Sequence, residues 1–321
     1  MEIREQYVVI HLSALFPLKG MAYIMKGSSL SKRNRVAYLY ILPWLIGIVV
    51  FSVYPFFISF YYSLCDYNPL LSQHAFIGFD NYVKLFTKDS EFFKSLKATL
   101  LYTVYTVPCK LLMSLAIALM LNKARRGIGV LRTIYYLPSL FGGSIAVAVL
   151  WKIMFMDKGM VNNWLKALGL STVSFLGDPK FALPTLSLLE VWQFGSSMVL
   201  FLAALKQVPN SLYEAAKIDG ASSIKRFFSI TLPGISPIIF FCIIMQTLNA
   251  MQNFTSAFVI TKGGPLHSTY MLGVKLYNDG FKLYRMGYAS ATSWIIFSIV
   301  AVFTALLFLS SKYWVFYSDE N

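Results

Sequence analysis

The stretch "LLYTVYTVPCKLLMSLAIALML", residues 100–121, decides the fold class of this chain. Its residues are apolar or weakly polar, and Lys110 is the one charge among them. Crossing about 30 Å of hydrocarbon as a helix takes roughly 20 such residues. The run therefore predicts a membrane-spanning helix, with Pro108 and Lys110 in its middle.

The composition extends this interpretation to the whole chain. Of its 321 residues, 57% are hydrophobic and 13% are charged, and the mean hydropathy is +0.61. Soluble domains carry about 25% charged residues, so a polytopic membrane protein is indicated. Six runs are long and apolar enough to span a bilayer, which predicts an all-α fold of six transmembrane helices. The predicted spans are residues 36–64, 100–121, 134–156, 184–205, 235–260 and 286–310.

The distribution of Lys and Arg predicts the orientation of these spans. Tight basic clusters beside span ends mark the cytoplasmic face of a membrane. An even number of spans places both termini on one side, and the clusters predict that this side is the cytoplasm. The clusters are Lys26, Lys32, Arg33 and Arg35; Lys123, Arg125, Arg126 and Arg132; Lys206, Lys217, Lys225 and Arg226; and Lys312.

Three regions are expected along the chain. Residues 1–35 form a cytoplasmic N-terminal tail, residues 36–312 the transmembrane domain, and residues 313–321 a cytoplasmic C-terminal tail. The N-terminal tail contains an apolar stretch that Pro17 and Lys19 interrupt, so the stretch is too short to span a bilayer. It lies at the membrane interface or stays disordered; in a second interpretation, Met21 or Met25 is the true start.

Several function classes receive no support. The net charge of +14 is spread beside the apolar runs rather than massed in one patch, which argues against nucleic-acid binding. Cys65, Cys109 and Cys242 have unrelated spacings, so neither a disulfide framework nor a metal site is indicated. The three histidines are far apart in the sequence. No phosphate-binding loop of the type GxxxxGK[ST] occurs, so ATP hydrolysis by this chain is not expected.

A polar segment, "SLYEAAKIDGASSIKRFFSITLP" at residues 211–233, stands between two apolar runs. Ser211 and Glu214 have the spacing of a capping box, which predicts a helix from Leu212 to about Asp219. Gly220 predicts a left-handed helix cap, and a second helix follows from about Ala221. The small side chains of such a helix permit close packing on another surface. A docking helix and a simple amphipathic connector are equally compatible with these residues.

At these residues the chain resembles the permease subunits of ATP-binding-cassette importers. "EAAKIDGA", Phe227 and "ITLP" are similar to the EAA motif of the carbohydrate-uptake branch, which includes the maltose and glycerol-3-phosphate permeases. Residues 211–233 are called the EAA segment below. The stretches "FIGFDNYVKLF" (76–86), "LRTIYYLPSL" (131–140) and "MGYASA" (286–291) also resemble this branch. The resemblance covers all but about the first 30 residues.

The resemblance implies a coupling helix that docks on a cytoplasmic ATPase subunit. Its expected contacts are Glu214, Ala215, Ala216, Asp219, Gly220 and Ala221. The implied partners are a second homologous permease, two ATPase subunits, an extracytoplasmic carbohydrate-binding protein and the lipid bilayer. No cofactor or metal is expected in this chain, because ATP and Mg belong to the ATPase subunits. The implied location is the inner, or cytoplasmic, membrane, in which the chain is a multi-pass protein.

Polar residues within predicted spans suggest a cargo path. Gln246, Asn249 and Asn253 follow i, i+3, i+7 spacing, which predicts one polar stripe on span five. Uncharged amides suit a polyhydroxyl ligand, although they also join helices to one another. Trp192 and Gln193 offer a stacking face and a hydrogen-bonding group, and Trp192 is equally compatible with an interfacial anchor. Lys110 is expected to pair or snorkel, and Glu190 to lie near the outer end of span four.

These observations predict an importer permease that moves a carbohydrate, and in particular an oligosaccharide, into the cytoplasm. The alternative is an ion-coupled secondary transporter of a small polar solute. Such transporters place carboxylates at mid-span, and no Asp or Glu lies centrally in a predicted span. A membrane-bound enzyme is disfavoured because no cluster of His, Cys and carboxylates is apparent. The identity of the sugar does not follow from the sequence.

Overall fold

The computed structural model describes residues 30–71, 73–123 and 127–316. Most of the predicted N-terminal tail, the last five residues, and Arg125 and Arg126 of the basic clusters lie outside these ranges. The chain divides into two compact units, Met1–Ser59 and Phe60–Asn321. In the first unit, α1 (Leu30–Ile48) continues through a π-helical turn (Val49–Val53) into α2, which runs on to Ser63. From Tyr38 to Ser59 no described side chain is buried.

The second unit contains a short hairpin and a series of helices. Strands β1 (Cys65–Asn68) and β2 (Gln73–Phe76) pair in antiparallel register, Cys65 opposite Phe76. The helices are α2 (Tyr54–Ser63, shared with the first unit), α3 (Asp80–Thr87), α4 (Ser90–Leu121), α5 (Ile128–Leu140), α6 (Ile145–Phe155), α7 (Met160–Ala167), α8 (Pro179–Trp192), α9 (Gly195–Gln207), α10 (Asn210–Ile218), α11 (Ser223–Arg226), α12 (Leu232–Gly234), α13 (Ser236–Met251), α14 (Leu272–Tyr277) and α15 (Met286–Ser311).

The hairpin is an addition to the predicted helical fold, which is otherwise mostly helical as expected. It forms because Asn68 and Pro69 reverse the chain just after the first span. The side chain of Asn68 accepts from Leu70 N at 2.9 Å, and its carbonyl accepts from Leu71 N at 3.2 Å. Asn and Pro favour such turns, since the amide mimics a backbone group and the ring fixes φ.

Among the residues that the structure describes, three helices are long and apolar enough to cross a membrane by themselves: Tyr38–Ser63, Ser90–Leu121 and Met286–Ser311. Three further candidates are bent pairs, so the predicted count of six holds when each pair is one span. The bends are 96° between Ile128–Leu140 and Ile145–Ala167, 46° between α8 and α9, and 66° between Ser223–Gly234 and Ser236–Met251. The side of the membrane that each terminus faces stays a prediction.

The predicted spans three and five are therefore interrupted rather than continuous. Span three breaks at Gly142 and Gly143, where Gly143 has φ +71°, a left-handed conformation that an L side chain rarely adopts. Predicted span five, residues 235–260, instead begins at a bend beside Ile235, ends its α-helix at Met251, and resumes as a π-helical segment at Ala257–Thr261.

Helix α4 lies at the centre of the second unit and packs against α8, α9 and α13. Its buried face carries small side chains, including Ser95, Ala98, Ser114 and Ala118. Small residues allow close helix approach in a membrane, where the hydrophobic effect does not hold helices together. Two apolar clusters form on this helix, one around Tyr102 and one around Ala118. The position of α4 therefore fixes α8, α9 and α13 around it.

An ion cluster joins the N-terminal end of α4 to α14 and α15. Lys275 Nζ lies 2.6 Å from Asp89 Oδ2 and 3.1 Å from Asp279 Oδ2, and Tyr288 donates to Asp89 at 2.7 Å. Burial alone would raise the pKa of Asp89, but the bonds from Lys275 and Tyr288 hold that pKa below its ordinary value. Burial also opposes the charge on Lys275, yet the bond to Asp89 and the nearby Asp279 raise its pKa. Both groups are thus charged at neutral pH.

Gly195 sets the separation between α9 and α5. A Cβ placed on Gly195 would lie 2.8 Å from Tyr135 O and 2.8 Å from Tyr136 Cα, which are closer than any normal carbon contact. Both neighbours are backbone atoms, so no side-chain rotation relieves the overlap. This glycine therefore lets the two helices approach beside the break in span four.

We expect Gly195→Ala to destabilise the protein by about 1–3 kcal/mol, the usual cost of inserting a methyl group into a packed site. Thermal unfolding in lipid nanodiscs measures the change. Gly129→Ala is the matched control, because nothing lies within 4 Å of its Cβ. Equal unfolding midpoints for the two variants would contradict the close approach of α5 and α9.

Candidate functional site

A polar cavity of about 380 Å³ lies among α4, α5, α6, α8, α9 and α13 in the second unit. Backbone amides, hydroxyls and side-chain amides supply most of its surface. Its lining residues are Lys110, Ser139, Gly142, Gly143, Ser144, Val147, Ala148, Leu189, Glu190, Gln193, Ser196, Gln246, Asn249, Gln252, Asn253, Phe254, Thr255 and Ser256.

Each of three interrupted spans opens at this cavity. The break between α5 and α6 contributes Gly142 and Gly143, and the break between α8 and α9 contributes Gln193. The end of α13 contributes residues 252–256. Backbone groups freed by a helix break are tolerated inside a membrane only where protein or a water-filled cavity satisfies them. The coincidence of three breaks indicates a site rather than a packing defect.

The side-chain amides in the cavity differ in whether they form hydrogen bonds with other protein groups. Gln246 Nε2 donates to Ser197 Oγ at 3.0 Å, and Asn253 Nδ2 donates to Tyr102 Oη at 3.0 Å. Within the described residues, the side-chain amides of Asn249 and Gln193 form no hydrogen bond that the geometry supports. Gln246 and Asn253 therefore join helices, while Asn249 and Gln193 present donors and acceptors to the cavity.

The prediction that Gln246, Asn249 and Asn253 form one stripe on a helix is wrong for Asn253. Gln246 and Asn249 lie on α13, but the helix ends at Met251, so Asn253 lies beyond it. Asn253 Oδ1 accepts from Ser256 Oγ at 2.7 Å. Asn and Ser side chains offer hydrogen bonds that compete with the helical backbone, which accounts for the interruption in this polar run. The cavity nonetheless brings all three predicted amides together.

Lys110 and Glu190 form a buried ion pair on the cavity wall. Lys110 Nζ lies 2.6 Å from Glu190 Oε1, and the two side chains are 5% and 23% exposed. Pairing was one of the two expectations for Lys110, and snorkelling was the other. Glu190 was placed wrongly at the outer end of span four, because α8 begins at Pro179 rather than at residue 184. The longer span puts this carboxylate beside the bend, so a central acid exists, but a lysine neutralises it.

Trp192 does not join the other predicted pathway residues. Its indole faces Trp151, with ring centroids 6.0 Å apart, and it is absent from the cavity lining. The aromatic face in the cavity belongs to Phe254, which stacks on Phe258 at 4.9 Å. Phe254 and Gln252 also line an apolar groove of about 980 Å³ beside α13, α14 and α15.

Sequence reasoning missed the contribution of the loop-forming residues to this cavity. Ser139, Ser144, Ser196, Thr255 and Ser256 supply hydroxyl groups to the lining. Paired glycines at 142–143 within an apolar run are a signal of a broken helix, and this signal was available in the sequence. The remaining hydroxyls carry no such signal, because serine and threonine occur on every span.

The EAA segment folds as two short helices around Gly220. Gly220 has φ +77°, Ala221 N donates to Ala216 O at 2.9 Å, and Gly220 N donates to Lys217 O at 3.2 Å. This bond pair is a Schellman motif, so the predicted left-handed cap is confirmed. Tyr213 and Thr231 share a hydroxyl hydrogen bond of 2.9 Å, which ties the first helix to the start of the path into α13.

The predicted capping box is wrong. Helix α10 begins at Asn210, and Pro209 occupies the N-cap position without a side-chain hydrogen bond. Proline fixes its own φ, here −61°, and its extended ψ of 131° starts the helix one residue before Ser211. Ser211 thus lies inside the first turn. The serine that does cap a helix is Ser222, whose hydroxyl accepts from Lys225 N at 3.3 Å.

The predicted contact residues of the EAA segment lie at the surface. Glu214, Ala215, Asp219 and Gly220 are exposed, and Ala216 and Ala221 are half-buried. Large apolar side chains are exposed beside them: Ile218 is 87% exposed and Ile224 72% exposed. Large exposed apolar side chains on neighbouring helices of a polar segment are compatible with a protein-interaction site.

We expect Lys110→Met to lower stability by up to about 3 kcal/mol, because it leaves the Glu190 carboxylate without its partner. Adding Glu190→Gln should recover most of the loss, since the double variant buries no charge. Unfolding in nanodiscs measures all three variants. A double variant less stable than Lys110→Met would contradict the pairing.

The comparisons with known proteins agree with this geometry. The family model described as "Binding-protein-dependent transport system inner membrane component" matches residues 90–319. The chain is 43% identical over 305 residues to the probable ABC transporter permease protein YesP of Bacillus subtilis (strain 168), covering 94% of this chain and 98% of that protein. It is 35% identical over 275 residues to the trehalose/maltose transport system permease protein MalF of Thermococcus litoralis, covering 85% and 92%.

A solved structure shares the fold and the family. A bacterial ABC transporter involved in the import of the acidic polysaccharide alginate matches with a TM-score of 0.76 and 26% identity, over 88% of this chain and 96% of that chain. The resemblance stated from the EAA segment is therefore confirmed. The chain belongs to the binding-protein-dependent transport system inner membrane components, among the permeases of sugar ABC importers.

Proposed function

We propose that this permease moves an oligosaccharide into the cytoplasm through the polar cavity, driven by separate ATPase subunits that dock on the EAA segment. The observation that carries the proposal is the cavity itself, where three interrupted spans meet and where the side-chain amides of Gln193 and Asn249 have no hydrogen-bond partner among the described residues. Binding and passage are the functions that it supports best.

The chemistry of the cavity fits a sugar better than an ion. Hydroxyl groups of a carbohydrate both donate and accept, and so do the amides of Gln193 and Asn249. Phe254 adds an apolar ring face on which the C–H surface of a sugar ring can pack. The one ion pair, between Lys110 and Glu190, is internally neutral. A volume of about 380 Å³ lies within the usual range for small-ligand sites, which are often about 300–1,000 Å³.

The names of the related permeases support a carbohydrate as the cargo, and in particular a short chain of sugars. Besides the trehalose/maltose permease, the chain is 34% identical over 282 residues to the lactose transport system permease protein LacF of Rhizobium radiobacter. The solved alginate importer extends the series to a polysaccharide. The names of these relatives run from disaccharides to a polysaccharide, and the proposed oligosaccharide lies within that range.

The EAA segment supports coupling to a motor on another chain. Ile218 on its capped helix is almost fully exposed to solvent. Burial of such a side chain against a partner stabilises the complex. The Tyr213–Thr231 bond and the short path through α12 connect the segment to α13, which carries Gln246 and Asn249. Movement of a docked ATPase would reach the cavity through these elements.

The complete system, in this proposal, contains a second homologous permease, two ATPase subunits and an extracytoplasmic carbohydrate-binding protein. ATP and Mg bind in the ATPase subunits. The permease spans the inner membrane with both termini, and the EAA segment, in the cytoplasm.

We expect Asn249→Leu to raise the cargo concentration for half-maximal uptake by about tenfold, which corresponds to roughly 1.4 kcal/mol of lost binding. Its stability should not change, because Asn249 is exposed in the cavity and joins no helix. Uptake is measured with whichever of a panel of labelled di- to tetrasaccharides the wild type accumulates. Asn163→Leu, at an exposed position on α7, is the control. Unchanged uptake by Asn249→Leu would contradict cargo contact there.

We expect Ile218→Glu to reduce ATP-driven uptake by about tenfold or more, because a buried carboxylate opposes docking. The ATPase should also be lost from the purified complex, while the variant permease still inserts. Leu168→Glu is the matched control, since Leu168 is 74% exposed and lies outside the EAA segment. Normal recovery of the ATPase with Ile218→Glu would contradict the docking role.

A further inference from the structure

A second cavity, of about 470 Å³, lies between α4 and α8 on the flank of the unit, away from the polar cavity. Lysines and one histidine line its mouth, and apolar side chains line the remainder. Its residues are called the lysine groove: Lys94, Lys97, Ala98, Leu101, Tyr105, Pro179, Lys180, Leu183, Pro184, Leu266, His267 and Ser268.

The cations of the lysine groove are not neutralised by the protein. Within the described residues, no carboxylate lies within ion-pair distance of Lys94, Lys97 or Lys180. The two nearest acids in the sequence serve elsewhere: Asp178 accepts from Lys180 N at 2.8 Å as the N-cap of α8, and Glu91 lines the separate cavity around Lys275. Three unpaired lysines converge on one groove, and this arrangement favours an anionic occupant.

The groove changes from cationic to apolar along the axis of α4. Lys97 lies three residues before the apolar run that begins at Leu100. A bilayer that encloses this run would place Lys97 at the depth of its headgroups. At 1.5 Å per residue, Leu101 and Tyr105 lie roughly 6 Å and 12 Å deeper along the helix. Leu183 of α8 faces them and is buried in the core cluster of α4. One leaflet contributes about 15 Å of hydrocarbon, so the apolar part matches an acyl chain in depth.

The loop at the mouth of the groove is held in an unusual backbone conformation. Leu266 and His267 have φ of +47° and +61°, which non-glycine residues adopt at a cost of order 1 kcal/mol or more each. This conformation turns Leu266, which is 87% exposed, to the groove and sets the imidazole edge-on to Tyr270 at 5.0 Å. Retained strain of this kind concentrates at binding sites.

We propose that the lysine groove binds an anionic phospholipid, whose phosphate lies among Lys94, Lys97 and Lys180 and whose acyl chain follows Leu101 and Tyr105. A free phosphate or an acidic protein surface would use the lysines but would leave the apolar floor uncovered. A phospholipid satisfies both halves at once. Lys and Arg side chains beside a membrane surface attract acidic headgroups electrostatically.

The test uses the complete purified transporter in phosphatidylcholine nanodiscs that are titrated with phosphatidylglycerol, and native mass spectrometry counts the retained phosphatidylglycerol. We expect the triple variant Lys94→Gln/Lys97→Gln/Lys180→Gln to bind it at least about tenfold more weakly, the effect of losing roughly 1.4 kcal/mol. Lys84→Gln/Lys158→Gln/Lys166→Gln removes the same charge at exposed positions outside the groove and should bind as the wild type does. Arginine at positions 94, 97 and 180 should retain binding.

Three outcomes would overturn the proposal. Equal weakening in both glutamine variants would assign the effect to overall charge. Full displacement of phosphatidylglycerol by inorganic phosphate would assign the groove to a free phosphate. Unchanged lipid binding in the groove variant, with loss of ATPase stimulation by the binding protein, would assign the groove to a protein partner.

Discussion

Inside a bilayer every backbone amide and carbonyl needs a partner, and this constraint organises the permease. A helix that breaks there exposes polar groups that lipid cannot satisfy. Spans three, four and five all break, and the breaks face one another around α4 rather than facing lipid. The resulting cavity is polar because side-chain amides, hydroxyl groups and the Lys110–Glu190 pair line it beside the breaks. The cargo chemistry proposed for it therefore follows from the same feature that shapes the fold.

Hydropathy predicted where membrane helices occur, but not where they break. The run at residues 100–121 was found because α4 is continuous, and of the two expectations for its Lys110, pairing or snorkelling, the structure has the pair. Asn253 was placed on a helical stripe because periodicity assumes an unbroken helix. Glu190 was misplaced because the span extends further toward its N-terminus than the apolar run does. Pairing between residues 80 positions apart, as in Lys110–Glu190, depends on tertiary packing that one sequence does not record.

Local chemistry was more predictable in the EAA segment. Gly220 has the left-handed conformation expected from its lack of a Cβ, since the requirement is confined to a few neighbouring residues. The start of the helix was misassigned, because Pro209 and Ser211 are both able to precede a helix and only the backbone angles decide between them. A helix that starts at either position leaves the same exposed surface around Ile218. The proposed docking surface therefore does not depend on which residue caps the helix.

Phe254 and Gln252 line both the polar cavity and the apolar groove of about 980 Å³. The wall between the two is thus a single layer of side chains at the end of a helix. Because Gln252 and Phe254 belong to both linings, a substitution at either position alters the two spaces together. A smaller side chain at position 254 would enlarge the polar cavity and the apolar groove at once, so the volume of this ring fixes the boundary between a polar and an apolar surface.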